Sequence, residues 1–430
     1  MVYHPRENWN PQTRKRVYTR RDFIQRAAVL GITLPVLPSL LAACGTRDRG
    51  EQADLAIGTP SSPVQQPLFE DNPAIASGLP DEEGPLQVYN WSQYINPEVI
   101  PLAEEALGVE IKITTFFNEE EAIQKLSSGE IPFDVWFPSA ERVPVSVAGR
   151  LLQPLNHDYL PNLEAFVSPR LVDPYYDQGS RYTVPYVMWH TGISWRNDMV
   201  DGADVENLPN AWDVFWNPKY KDITGLYDSF LDTMQMALFR NGVTDPVTAS
   251  EDELEAAADS LIELIDLMNI DYTIDGAYDG IPNKRFGLHL SWSGDAINSQ
   301  YYFAEGADTT VTRYVWPAKI EGTQVNGTIS NDTLTIPTNA ERPVLAHKFL
   351  NWMLDETNAL ENFSWLGYQP PQKSLDVDLL VSDGWVPEFL APAIVTEDDF
   401  GLPTAWVATQ LDVETETAWQ DQWDRAQSGG

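Results

Sequence analysis

The chain has a single cysteine, Cys44, among 430 residues. One thiol closes no internal disulfide, builds no cysteine-based zinc site and forms no dithiol redox pair, so the fold must stand on packing. Basic residues are scarce as well. Lys and Arg number 27 against 64 Asp and Glu, a net charge of -37. A surface of that sign repels phosphate backbones, which excludes nucleic acid as a partner; spread diffusely, it serves solubility before any particular ligand. The histidines are His4, His157, His190, His289 and His347, and none stand at His-Glu-x-x-His or another zinc spacing. No Walker loop, dinucleotide glycine fingerprint or Gly-x-Ser-x-Gly elbow occurs. Carboxylate pairs of the glycosidase kind arise by chance among 64 acids and identify nothing. No catalytic residue, metal or cofactor is therefore expected. A repeat of ~20–50 residues is also missing, which excludes a solenoid or propeller.

What is present starts with an address. Residues 1–26 are basic and polar, and a mostly apolar stretch from Ala27 to Ala43 follows, interrupted by Pro35 and Pro38. These are the charged and apolar regions of an export signal, too short and too broken for a stable membrane span. TRRDFIQ at 19–25, with Arg20 and Arg21, resembles a twin-arginine export motif, and LAACG at 41–45 resembles a lipoprotein cleavage box. Together they predict a twin-arginine lipoprotein signal peptide over 1–43 and a lipid on Cys44. The product would be exported and anchored on the extracytoplasmic face of the cell membrane. Residues 44–85 are rich in Pro, Gly, Ser and acids with little periodicity, and predict a disordered tether.

The pattern turns globular at Leu86. LQVYNW, VEIKITTF and FDVWF read as strands, with helices over 97–107 and from Asn118 to about Ser127 between them. Strand–helix–strand–helix–strand argues for parallel β-structure. Ser250 with Glu253 starts a long amphipathic helix. GLHLSW at 287–292 and DTLTIP at 332–337 read as further strands, and 343–362 as one helix. At 43% hydrophobic content the chain exceeds the ~250–300 residues that one core sustains, so more than one core is expected. Ligands of parallel sheets gather beyond the carboxyl ends of the strands. Trp91 and Tyr94, Ser139 and Glu141, and Trp292 and Asp295 all fall there.

VYNWSQYINPE at 88–98 resembles the first strand and turn of the bacterial spermidine/putrescine-binding proteins. FDVWFPS at 133–139, YTVPYVMWHTGISW at 182–195, WNPKYKDITGL at 216–226, QMAL at 235–238, LSWSGDA at 290–296, DTLTIPTNA at 332–340 and LGYQPP at 366–371 resemble further blocks in the same order. The resemblance covers most of 86–375. It implies an α/β, type II periplasmic-binding-protein-like fold, two lobes closing on a ligand between them. Lobe one is expected at 86–190 plus 295–338, lobe two at 191–294 plus 339–430. It also implies a non-enzymatic monomer that delivers a polyamine-like cation to the permease subunits of an ABC importer. Trp91 and Tyr94 match an aromatic wall, Trp292 and Asp295 an aromatic-plus-acid pair, and Ser139 a strand-end hydroxyl. Asp228 and Asp232 lie where the family carries two acids one helical turn apart, with Ser229 at the aligned place of the first. Gln369 lies near a family glutamine contact. Two positions depart from the pattern. Glu141 stands where a wall tyrosine is common, adding negative charge, and Ser330 stands where an aromatic is expected, removing a stacking surface. Putrescine, spermidine or another cationic compound stays open as the ligand. The same fold could hold a sugar, a compatible solute or ferric iron, and a cell-surface hydrolase is the rival of another class.

Overall fold

The computed structural model describes residues 54–429; the export signal with Arg20 and Arg21, and Cys44, lie outside the described residues. β1 (Leu86–Trp91), α1 (Val99–Leu107), β2 (Ile111–Phe116), α2 (Glu119–Ser128) and β3 (Val135–Trp136) follow one another along the chain. β1 lies parallel to both other strands. Local chemistry sets the ends of these elements. α1 stops at Gly108, whose φ of 73° a residue without a Cβ adopts at little cost. α2 starts at Asn118, which accepts the Glu121 N–H. β3 is shorter than the apolar run 133–137 because Pro132 and Pro138 flank it and bring no N–H to a ladder.

The next strand belongs to both lobes. β4 (Thr183–Arg196) is buried along its whole length. Beyond it come β5 (Thr224–Tyr227), α3 (Phe230–Arg240), α4 (Glu251–Met268), β6 (Asp271–Thr273), β7 (Leu288–Trp292), α5 (Ser293–Asn298), β8 (Thr312–Val315) and β9 (Gly327–Thr335). β4 runs antiparallel to β9 from Thr183 to His190, then antiparallel to β7 from Thr191 to Trp195. The handover between His190 and Thr191 makes β4 a connection between lobes. β5 lies parallel to β6 and β7, so the second lobe repeats the parallel logic of the first. The capping box of Ser250 and Glu253 starts α4 as the sequence predicts.

Two large cores result. One gathers Leu86, Val88, Val184 and Leu334, and the other Trp195, Leu226, Leu238 and Leu261. A third cluster, including Tyr89, Phe116, Ile123 and Trp136, covers the opposite face of the first sheet. Parallel strands need that cover on both faces.

Four expectations are corrected. The segment after β9 does not join lobe two as a whole. The region read as one helix splits into α6 (Pro343–Met353) and α7 (Glu356–Leu366), because Asp355 accepts the N–H groups of Thr357 and Asn358 and caps a new helix. Leu345, Phe349, Leu360 and Phe363, and residues as far as Phe400, pack into the first core. Only the last stretch, β10 (Ala405–Val407) and α8 (Val413–Ser428), returns to the second, where Trp406, Trp419 and Trp423 are buried. β8 likewise pairs with the lobe-two half of β4, at Ile193–Arg196, although it falls within the stretch assigned to lobe one.

The fourth correction concerns the tether, which from residue 54 onward is a strap on lobe one. Gln66 is buried and donates to the carbonyls of Ala56 and Tyr176 at 3.0 and 2.8 Å. Tyr182 donates to Pro67 O at 2.6 Å, and the Arg150 guanidinium lies 3.8 Å from the Phe69 ring centre. Glu82 accepts the N–H groups of Val344 and Leu345 at the start of α6. The composition suits disorder, yet the backbone polar groups of the strap find partners on a distant part of the chain.

Candidate functional site

A cavity of about 770 Å³ opens between the lobes. Trp91, Tyr94, Ser139 and Glu141 line it from lobe one, and Asp228, Asp232, Trp292 and Asp295 from the lobe-two side. Each pair sits just past a strand end: Trp91 closes β1, and Trp292 closes β7 and leads into α5.

Each acid is held by aromatic or hydroxyl donors. Asp232, in the first turn of α3, accepts from Trp292 Nε1 at 2.8 Å, Thr191 Oγ1 at 3.0 Å and Ser229 Oγ at 2.8 Å. Ser229 caps the helix, so it serves the site by fixing Asp232. Asp295 accepts from Tyr227 Oη at 2.6 Å and Tyr368 Oη at 2.7 Å. The Tyr227 ring stacks on Trp292 at 4.0 Å between centres. Gly294 makes the second tyrosine contact feasible, since a Cβ there would come within 2.0 Å of the Tyr368 ring. On the lobe-one side Asp332 accepts from Tyr94 Oη at 2.6 Å and Trp189 Nε1 at 2.7 Å. The Trp189 and Trp292 rings lie with centres 6.3 Å apart, tilted at 57° to each other. Glu119 accepts from the N–H and Oγ of Ser139 at 2.8 and 2.7 Å.

Asp232, Asp295 and Asp332 are buried with no basic partner, and Arg142 acts on Glu119 and Glu141 only through space. Loss of solvation pushes Asp295, Asp332 and Glu141 up to about 7 and Glu119 up to about 8, and raises Asp232. The hydroxyl and indole donors, and for Glu119 chiefly the charge of Arg142, pull the other way without reversing it. Arg142 is the one basic side chain among the described residues lining the cavity. It is already engaged, by Glu120 at 2.7 Å and Glu416 at 3.1 Å. A cavity with aromatic walls, and with Asp232, Asp295 and Asp332 facing no basic side chain, can accept positive charge beside apolar surface.

Two expected residues sit differently. Asp228 lies at the rim and is exposed, its N–H tied to Thr273 O at 3.1 Å. Gln369 does not line the cavity. Its amide donates to Leu375 O at 2.9 Å, and its neighbour Tyr368 faces the site instead. Successive residues of an extended segment point to opposite sides, so a register error of one residue exchanges the two. Asp332, Trp189, Tyr227 and Glu119 were not singled out by the sequence. Asp332 opens the DTLTIP block, and an acid leading an apolar strand was the available signal.

Residues 100–385 match the family of bacterial extracellular solute-binding proteins. The chain belongs to that family. This solute-binding protein is 27% identical over 287 residues to the spermidine/putrescine-binding periplasmic protein of Salmonella typhimurium, covering 66% of this chain and 77% of that one. Its fold is that of the spermidine/putrescine ABC transporter substrate-binding protein of Streptococcus pneumoniae, with a TM-score of 0.63 at 22% identity, over 80% of this chain and 98% of that one. A lipoprotein of Treponema pallidum shares it with a TM-score of 0.62 at 21% identity, over 79% and 98%. The type II, two-lobed architecture follows from these likenesses, and the relatives are named as binding and transport proteins rather than enzymes.

Proposed function

We propose that this solute-binding protein is the exported receptor of an ABC importer and that its cleft captures a polyamine-like cation. The observation that carries the reading is the set of buried acids, Asp232, Asp295 and Asp332, each beside a tryptophan or tyrosine and none with a basic partner in the cavity. Ammonium ends would meet the carboxylates, and methylenes would lie along Trp189 and Trp292. Each charge-assisted hydrogen bond contributes about 1.5–3 kcal/mol and each cation–π contact about 0.5–2 kcal/mol. A few of each reach micromolar binding, ~8 kcal/mol, after ordering costs. Trp91, Tyr94, Trp292, Asp232 and Asp295 are the contacts expected, with Ser139 and Glu141 at the lobe-one end and Asp228 at the rim. The similarity to the Salmonella protein supports the same ligand class.

Putrescine or spermidine at ~100 times its Kd should stabilise the fold by about 2.7 kcal/mol and raise the melting temperature by several degrees. A rise with maltose or ferric citrate and none with any amine would overturn the cation assignment. A product formed in a broad substrate screen would return the hydrolase.

Cys44 is the proposed attachment point for the lipid, since it has no other cysteine to pair with. Cys44→Ser should move the protein from the membrane fraction into the soluble exported fraction. Undiminished membrane retention would show that something other than the lipid holds it.

A further inference from the structure

Glu141 and Ser330, the two positions that depart from the aromatic pattern of the resemblance, touch each other. Ser330 Oγ donates to Glu141 Oε2 at 3.0 Å across 189 residues of sequence. Glu141 lies in the short helical turn Ala140–Arg142 that follows β3, and Ser330 lies in β9. Where two aromatic side chains would make a wall, a carboxylate and a hydroxyl meet, and the carboxylate lines the cavity.

Positive charge acts on Glu141 only weakly, from its neighbour Arg142, and less than burial and Asp332 act against it. Arg142 itself turns to Glu120 and Glu416. Asp332 and Glu119 are close enough for their charges to oppose ionisation of Glu141 and of one another. Asp232, Asp295 and Asp332 each have both carboxylate oxygens taken by hydroxyl or indole donors. Glu141 receives one hydrogen bond from another side chain, that of Ser330. Trp292 bonds Asp232 and Trp189 bonds Asp332, and the two ring centres lie 6.3 Å apart, so each tryptophan carries one acid that could meet one end of a diamine. Glu141 lines the same cavity, near enough to Asp332 for the two charges to interact, and is a further acid that a diamine held by Asp232 and Asp332 leaves unmatched. The cavity volume, about 770 Å³, also falls in the range that encloses drug-sized ligands rather than a molecule of a few heavy atoms.

We infer that Glu141, oriented by Ser330, is a specificity residue for a third cationic nitrogen, so that the cleft takes a triamine or longer polyamine in preference to a diamine. The inference rests on the amine reading of the cleft and adds the number of charges the ligand carries. A hydrogen-bonded charge pair gained or lost in a site of this kind changes affinity about tenfold or more.

Calorimetric titration of the full exported chain with putrescine and with spermidine tests it. The wild type should bind spermidine at least about tenfold more tightly than putrescine. Glu141→Gln, which keeps shape and removes charge, should lower that ratio about tenfold, and Ser330→Ala should lower it by a smaller factor. Equal affinity of the wild type for the two amines, or a ratio unchanged in both variants, overturns the inference and leaves the amine reading standing. Binding of neither amine by a wild type that melts cooperatively overturns the amine reading itself. The Ser330→Ala variant keeps the test decisive if Glu141→Gln folds poorly.

Discussion

Affinity for putrescine should fall about a hundredfold for each engaged carboxylate of Asp295 and Asp332 when the pH drops from 8 to about 5. Both acids are pushed up to about 7, chiefly by loss of solvation. An amine with an ordinary pKa near ~10 stays charged throughout that range, so the protein alone titrates. At pH 8 the carboxylates are mostly ionised and ready for ammonium groups. At pH 5 each holds a proton that the ligand must displace, at about a factor of ten per pH unit below the folded pKa. Binding near pH 7 should accordingly release protons, and calorimetry in buffers of different ionisation enthalpy would measure how many. Affinity independent of pH between 5 and 8 would show that these acids do not meet the ligand.

The ligand-free protein should respond in the opposite sense. Each of these carboxyls binds its proton more tightly in the folded than in the unfolded chain. Their contribution to stability is complete below the unfolded value near ~3.9 and is lost as the pH rises through about 7. A cation in the cleft offsets that loss, so the stabilisation given by ligand should be larger at pH 8 than at pH 5. On the proposed amine reading, the same acids that destabilise the empty fold at neutral pH would supply the driving force for capture.

The sequence carried the local parts of this design well and the long-range parts poorly. Trp91, Tyr94, Trp292 and Asp295 were legible because strand ends in a parallel sheet point to one place, and the pattern of those strands is local. Trp189 was hidden by its strand: β4 is apolar and buried on both faces, so a wall residue looks like any core aromatic. Tyr227 was masked by Asp228, the more conspicuous residue beside it. The strap was misread for a different reason. Its Pro, Gly and acidic content resembles a tether, and what orders it is a set of partners such as Tyr176 and Arg150, about a hundred residues away. The placement of 339–402 failed likewise, since packing of α6 against the first core depends on which face the chain returns to, and helix periodicity does not say.

Arg142 is the clearest case of a long-range feature, and its removal should be the most damaging single change to the fold. Arg142→Met should lower the unfolding free energy by about 3 kcal/mol or more. The side chain is 2% exposed, and its guanidinium reaches Glu120 Oε1 at 2.7 Å and Glu416 Oε1 at 3.1 Å. Glu120 lies in the first turn of α2, on lobe one, and Glu416 in the first turn of α8, which packs on lobe two. One cation therefore ties the two lobes across the wall of the cleft. Burial alone works against its charge, and Glu416, Glu120, Glu119 and Glu141 outweigh that, raising its pKa. Methionine keeps much of the stem's packing but leaves these acids facing one another with no positive charge among them. The penalty lies mostly in the stranded carboxylates, so the triple variant Arg142→Met, Glu120→Gln, Glu416→Gln should recover a good part of it. Urea unfolding of the ligand-free protein measures both. A loss below about 1 kcal/mol for Arg142→Met would place this pair with surface ion pairs of little consequence. A large loss that the triple variant fails to relieve would assign the cost to packing around the arginine stem instead of to charge.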